Sequence, residues 1–328
     1  MAKETLRLAI PSTGRLADPV AAFFRAAGAA IKFGGARDYR ASLPAIPAIT
    51  VQLMAAAEIA EALRAGDVHA GVTGEDLMHE TLGGAPGDVP DAPICARRLG
   101  FGGARLVVAV PRAWIDVATM DDLAAAARQF RARHRRPLRV ATKYVRLVRG
   151  FFARAGVVDY RIVGSPGATE AAPAAGLADL IADITSSGET LAANHLKILD
   201  GGMILDSQAS LYVARRAGGG WRKEQRAALK HLLDLMDARA LGAGRMRLSA
   251  LIPKAANAKR LREGLAALGC DDIQIVQGAL SAHCADGAIY RAAQFLQDAG
   301  AETVDTEALA FVFREKDTTY AALGPLLR

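Results

Sequence analysis

Short apolar, β-branched runs alternate with alanine-rich stretches along most of the chain. The runs predict strands at Leu6 to Ile10, His69 to Thr73, Arg105 to Val110, Leu138 to Thr142, Tyr160 to Val163, Leu180 to Thr185 and Ala209 to Ala214. Between them, apolar side chains recur at helical spacing in Pro19 to Ala27, Ala55 to Ala65, Asp121 to Arg133 and Arg146 to Ala155. Strands that feed helices and then further strands predict an α/β protein with mainly parallel strands. No internal repeat or low-complexity tract interrupts the pattern.

Two boundaries follow from the same pattern. Around Pro111 the chain leaves one strand and opens a new strand-helix series, which predicts a second lobe. The tract Gly218 to Gly220, the charged helix from Trp221 to Arg239 and the stretch Leu241 to Gly244 predict an exit from the main body. A smaller unit then follows, in the order strand, helix, strand, helix, strand. Its elements are Met246 to Ile252, Ala258 to Leu268, Asp272 to Val276, Gly287 to Ala299 and Ala308 to Phe313.

Composition narrows the class. A chain of 328 residues exceeds what one hydrophobic core serves, so two or three domains are expected. Hydrophobic residues at 52%, charged residues at 23% and a mean hydropathy of +0.16 predict a folded, globular protein. The N-terminal residues lack the apolar centre of a signal peptide, and no later stretch of about 18 apolar residues is present. A cytoplasmic protein without a membrane span is therefore expected. Cys95, Cys270 and Cys284 form no CxxC pair, which argues for buried thiols over a disulfide framework or a zinc site.

The net charge of +7 favours anionic partners such as nucleotides, phosphorylated sugars, nucleic acid or membrane surfaces. The densest basic run, Arg128 to Arg139, lacks the interleaved aromatics of a single-strand binding platform, and no helix-turn-helix, zinc or RNA-recognition signature accompanies it. A solvated helix end is the expected role, with no nucleic-acid partner. Walker A, HExxH and GxSxG motifs are also missing.

Candidate chemistry concentrates between Gly164 and Leu191. A buried-looking strand there runs into a turn of small hydroxylated residues and then into a helix. Such a junction aims backbone N–H groups, hydroxyls and a helix dipole at one spot, which suits a phosphate or pyrophosphate. Gly188 lets the backbone approach an anion closely, and Thr185, Ser186, Ser187 and Thr190 donate hydrogen bonds without bulk. Asp179 and Asp183, just before the turn, suit sugar hydroxyls or a magnesium ion. The plain alternative is a strand edge capped by an ordinary Ser-Ser-Gly turn, its aspartates satisfied locally.

This segment resembles the signature of ATP phosphoribosyltransferases, whose slots are filled by Glu170, Gly176, Ala178, Ile181, Asp183, Ile184, Ser187, Gly188, Thr190 and Leu191. The resemblance continues along most of the first 215 residues, through Leu6 to Leu16, His69 to Leu77, Leu99 to Leu106 and Arg139 to Tyr144. It implies a two-lobed catalytic body of the type II periplasmic-binding-protein kind, with the active site between the lobes. Lobe I would comprise residues 1–108 and 195–243, and lobe II residues 109–194. Residues 244–328 would form a small α/β domain, ferredoxin-like or a variant, at the position of a histidine-binding regulatory domain. The sequence departs from that domain where two consecutive strands are expected, so no effector residues are named.

The implied reaction transfers phosphoribosyl from phosphoribosyl pyrophosphate to N1 of ATP, the first step of histidine biosynthesis. Catalytic roles would fall to Arg15, Glu170, Asp179 and Asp183. Substrate contacts would come from Gly14, Asp76, Tyr144, Thr185, Ser186, Ser187, Gly188, Glu189 and Thr190. Mg2+ is the implied cofactor, and a homo-oligomer, dimer or hexamer, is implied. Each residue keeps a plain reading beside this one: Arg15 as a surface ion-pair partner, Asp76 as a helix cap, Tyr144 as a packed aromatic. The rival function is a non-catalytic two-lobed binding protein for small anions or nucleotides.

Overall fold

A computed structural model describes residues 5–34, 40–165, 167–253, 256–316 and 318–328. The first four residues, part of the N-terminal stretch read above, lie outside it. The chain begins β1 (Leu6–Pro11), α1 (Ala17–Ala26), β2 (Lys32–Phe33), β3 (Arg40–Ser42), β4 (Ile49–Met54), α2 (Ala56–Ala65), β5 (Ala70–Gly74) and α3 (Glu75–Leu82). It continues through β6 (Ile94–Arg98), β7 (Ala104–Pro111), α4 (Met120–His134), β8 (Leu138–Thr142), α5 (Val145–Arg154) and β9 (Tyr160–Gly164). After these come β10 (Leu180–Thr185), α6 (Glu189–Ala193), β11 (Leu196–Ser207), β12 (Ala209–Val213) and the long α7 (Lys223–Gly242). The last elements are β13 (Arg245–Leu251), α8 (Ala258–Ala267), β14 (Asp271–Val276), β15 (Ala279–Ala285), α9 (Ile289–Asp298), β16 (Val304–Ala308) and α10 (Thr319–Leu323).

Two compact units result, one of residues 1–25, 30–228 and 323–328, the other of residues 26–29 and 229–322. The first holds two sheets. One has the order β2-β3-β4-β1-β5-β12-β6 and the other β11-β7-β10-β8-β9. Strands β1–β4, β1–β5, β8–β10 and β8–β9 pair parallel, while β7, β11 and β12 pair antiparallel, so both sheets are mixed rather than mainly parallel. Residues 104–108 and 196–207, which the sequence reading gave to lobe I, pair within the second sheet.

Each sheet is covered by the helices its connections supply. In the second sheet, Leu106, Val108, Val140 and Leu180 pack with Leu123 and Ala127 of α4 and with Val148 and Phe152 of α5. In the first, Ala9 and Tyr212 pack with Ile59 and Leu63 of α2 and Met78 of α3. The start of α4 is fixed by sequence: Thr119 accepts from the Asp122 N–H, and the Asp122 carboxylate accepts from the Thr119 N–H, a reciprocal cap. Among the described residues no helix is long and apolar enough to cross a membrane.

The second unit carries an antiparallel sheet of order β14-β15-β13-β16. With α8 and α9 this is a βαββαβ unit of ferredoxin-like topology. Two elements of this unit differ from those expected from the sequence. β14 matches the expected strand at Asp272 to Val276, and the consecutive strand that was not expected is β15, joined to it at Gln277 and Gly278, whose φ angles of 50° and 85° suit a tight hairpin turn. The last strand is Val304–Ala308, ahead of the expected Ala308 to Phe313. Leu248, Leu280 and Cys284 face Leu261, Leu265 and Leu296 in the core of this unit.

Candidate active site

The hydroxylated turn sits where β10 ends. Thr185, the last strand residue, is buried, and its hydroxyl accepts from the Gly188 N–H at 2.8 Å. The Ser187 hydroxyl accepts from the Glu189 N–H at 3.3 Å. Both hydroxyls keep their own O–H to donate. Gly188 has φ 86°, a left-handed conformation that disfavours any side chain, and space around it is open, so glycine is required here by the backbone. The exposed Ser186, Ser187, Glu189 and Thr190 ring the turn, while Leu191 anchors it beside Ala172, Ala178 and Ile181.

Asp183 lies on β10 opposite Val107. One carboxylate oxygen accepts from the Ile184 N–H at 2.8 Å. The other has no hydrogen bond among the described residues.

Asp76 comes from the first turn of α3, packed against the first sheet. It is 1% exposed, and both its oxygens are engaged. Oδ2 accepts from the Tyr144 hydroxyl at 2.6 Å and Oδ1 from the Ser207 hydroxyl at 2.8 Å. Its N–H returns a bond to Ser207 Oγ at 3.0 Å. Gly74 makes room for this: a Cβ there would lie 2.2 Å from Asp76 Oδ1. The neighbouring Glu75 faces elsewhere, held by Arg98 at 2.6 Å and by the Ser210 hydroxyl. Burial would raise the Glu75 carboxyl, but these bonds outweigh it and hold it below the usual range.

Tyr144 follows β8 and opens α5, in the second sheet's layer. Burial first, then the Asp76 charge and hydrogen bond, push its phenol well above the ordinary value, with Asp183 adding to the effect and Arg15 opposing it. The phenol is therefore a fixed donor. Tyr144 and Asp76 are in direct contact, and the charges of Asp183 and Arg15 are felt at the same phenol. Arg15 itself is exposed, in the turn after β1, beside Gly14 at φ 81°. Glu170 sits half-buried in a short 3-10 turn, Thr169–Ala171, without a hydrogen bond or ion pair among the described residues.

Asp179 does not join them. It precedes β10, at the end away from the turn. There it accepts from the Arg136 guanidinium at 2.7 and 3.0 Å, from the Arg139 N–H at 2.7 Å and from the Arg139 guanidinium at 3.2 Å. Burial would raise this carboxyl, but the hydrogen bonds from Arg136 and Arg139 hold it far below the usual carboxylate range. A carboxylate so engaged staples β8 to β10 and has no oxygen to spare for a ribose. Ser207, by contrast, carries no local sequence motif, being a serine at the end of a bulged strand.

The sequence profile of the family described as ATP phosphoribosyltransferase matches residues 55–238. The ATP phosphoribosyltransferase of Bradyrhizobium sp. (strain ORS 278) is 46% identical over 98% of each chain. That of Afipia carboxidovorans (strain ATCC 49405 / DSM 1227 / KCTC 32145 / OM5) is 44% identical over 98% of each chain. Among solved structures, the ATP phosphoribosyl transferase (HisG:HisZ) complex from Thermotoga maritima superimposes with a TM-score of 0.52 at 24% identity. The superposition covers 71% of this chain and 98% of that one, a likeness of fold. With a profile match over more than half its length and such identity end to end, the chain belongs to the ATP phosphoribosyltransferase family.

Proposed function

We propose that ATP and phosphoribosyl pyrophosphate meet over Arg15, Asp76, Tyr144 and Asp183, with the sugar's pyrophosphate gripped by residues 185–190. The activity is that of the family: phosphoribosyl passes to N1 of ATP, giving phosphoribosyl-ATP and pyrophosphate. The single observation that carries the site reading is the hydrogen bond from Tyr144, which opens α5 beside the second sheet, to Asp76 of α3 beside the first, at a phenol that also feels the charges of Asp183 and Arg15. A non-catalytic binding role has no support from the family match.

In this reading, the adenine N1 lone pair forms the new bond to C1 as the C1–O bond breaks. The electron pair leaves with pyrophosphate. Most of the rate comes from aligning two polyanions and stabilising the charge on the leaving group. The amides and hydroxyls of Ser186, Ser187 and Thr190 meet that charge, and Arg15 adds a cation. Asp183, with one oxygen uncommitted, has the chemistry of a magnesium ligand beside substrate phosphates; Asp179, with both oxygens on arginines, does not. When bound, the ion would offset negative charge on the pyrophosphate. Glu170 is the acceptor proposed for the proton shed from the adenine.

The ferredoxin-like unit supports a regulatory role with histidine as effector, and the homo-oligomer and cytoplasmic setting belong to the same proposal. The Thermotoga protein is a two-component complex; the second unit in this chain supports regulation without such a partner. The assay is ultraviolet detection of phosphoribosyl-ATP from ATP, phosphoribosyl pyrophosphate and magnesium, with and without histidine. Asp183→Ala is expected to lower kcat by about 100- to 1,000-fold with its circular dichroism unchanged. Near-normal turnover would remove Asp183 from the site.

A further inference from the structure

Helix α5 lacks an N-cap of its own. Its N-cap residue is Tyr144, whose side chain makes no capping bond, and its first turn holds no acidic residue. The first N–H groups of a helix need acceptors, and here they find one from α3. The Glu80 carboxylate accepts from the Arg146 N–H at 2.9 Å and from the Leu147 N–H at 2.9 Å. Arg146 answers with its guanidinium, which donates to the carbonyls of Glu80 and Thr81.

Glu80 is four residues beyond Asp76 on α3, so the two carboxylates share one face of that helix. Asp76 holds the Tyr144 hydroxyl at 2.6 Å, and Glu80 holds the next two backbone amides but one. One helix of the first sheet thus grips the start of a second-sheet helix at two points. The core packing of Val148 and Phe152 holds the body of α5 on the second sheet, while a single polar contact would leave its first turn less firmly tied to α3. Two points fix the direction of its first turn, and with it the setting of Tyr144, whose phenol feels the charges of Arg15 and Asp183.

We propose that Glu80 is a positioning residue for phosphoribosyl transfer, acting through the N-terminus of α5 to fix the geometry of the cleft. It touches no substrate. The inference rests on the reading of Arg15, Asp76, Tyr144 and Asp183 as the active site. Misplacement of reacting groups by about 1 Å costs on the order of 100-fold in rate. Loss of the grip is therefore felt in kcat more than in KM, because alignment is realised in the transition state.

The test measures kcat, both KM values and thermal melting for Glu80→Ala, Glu80→Gln and the double variant Glu80→Ala/Val145→Asp. In the double variant, an acid in α5's own first turn stabilises the helix end without tying it to α3. Glu80→Ala is expected to lose about 10- to 100-fold in kcat with each KM within about threefold of the parent. Glu80→Gln, which keeps one acceptor and the shape, is expected to fall between and guards against failure to fold. The double variant is expected to regain melting temperature but not kcat. Parental kcat in a folded Glu80→Ala or Glu80→Gln protein overturns the proposal, as does recovery of kcat in the double variant, since capping alone would then explain the loss. Asp183→Ala run alongside separates the two failures: if it stays active, the site reading falls; if it is inactive while Glu80→Ala is not, only the positioning role falls.

Discussion

Replacing Asp179 with asparagine tests whether this carboxylate is structural, as its arginine contacts indicate. The aspartate side chain is 11% exposed, and its partners Arg136 and Arg139 are 42% and 32% exposed. Removing one member of a buried ion pair costs about 3–5 kcal/mol. The guanidiniums are partly solvated here, and screening reduces the figure to about 2 kcal/mol. For a body of this size that is a fall in Tm of roughly 4–8 °C. The carboxyl's folded pKa is depressed, so its contribution is full above the unfolded value near 4 and is lost as pH falls through the folded value. Parent and variant should therefore differ most near neutral pH and converge in strong acid. Differential scanning calorimetry across pH gives the stability, and steady-state kinetics should give kcat and the KM for phosphoribosyl pyrophosphate within about threefold of the parent. A variant with unchanged Tm and a kcat as low as that of Asp183→Ala would refute the assignment and return Asp179 to the ribose.

Tyr144→Phe leaves Asp76 Oδ2 buried without its donor, and urea unfolding should report a loss of about 1–3 kcal/mol together with reduced turnover; an unchanged midpoint would contradict the buried network. Burial pushes His69 down to about 4, with Arg7 contributing, so its neutral form favours folding by on the order of 3 kcal/mol above the unfolded value of 6.5. That stability should decline as pH falls from 6.5 to about 4, and His69→Asn, which keeps an acceptor for the Arg7 N–H, should flatten the decline in pH-dependent melting curves. Gly188→Val forces a branched side chain to φ 86° at about 1–2 kcal/mol, which should raise the KM for phosphoribosyl pyrophosphate roughly tenfold; an unaltered KM would show that the turn does not hold that substrate.

Residue type and spacing determined, without any coordinates, that the chain is an α/β protein, that a hydroxylated turn with one obligatory glycine follows a buried strand, and which family it resembles. Those features are local: a positive-φ glycine and small hydroxyls within a few residues of each other identify themselves. The strand β15 escaped because Leu280, Ala282 and Cys284 alternate with Ser281 and His283 in a run of small residues, a weak period-two signal. Asp179 and Asp183 could not be told apart by pattern. Four residues apart along an extended strand they share a face, yet they stand roughly 13 Å from one another. Only the register of β10 beside β8 brings Arg136 and Arg139 onto the first and leaves the second free. Ser207 and Glu80 likewise acquire their roles from chain folding, which sets Ser207 131 positions after its partner Asp76 and Glu80 66 positions before Arg146. Side-chain chemistry is written locally, but whether a carboxylate is spent on an arginine, a phenol or a helix end depends on which distant donors the tertiary structure delivers to it.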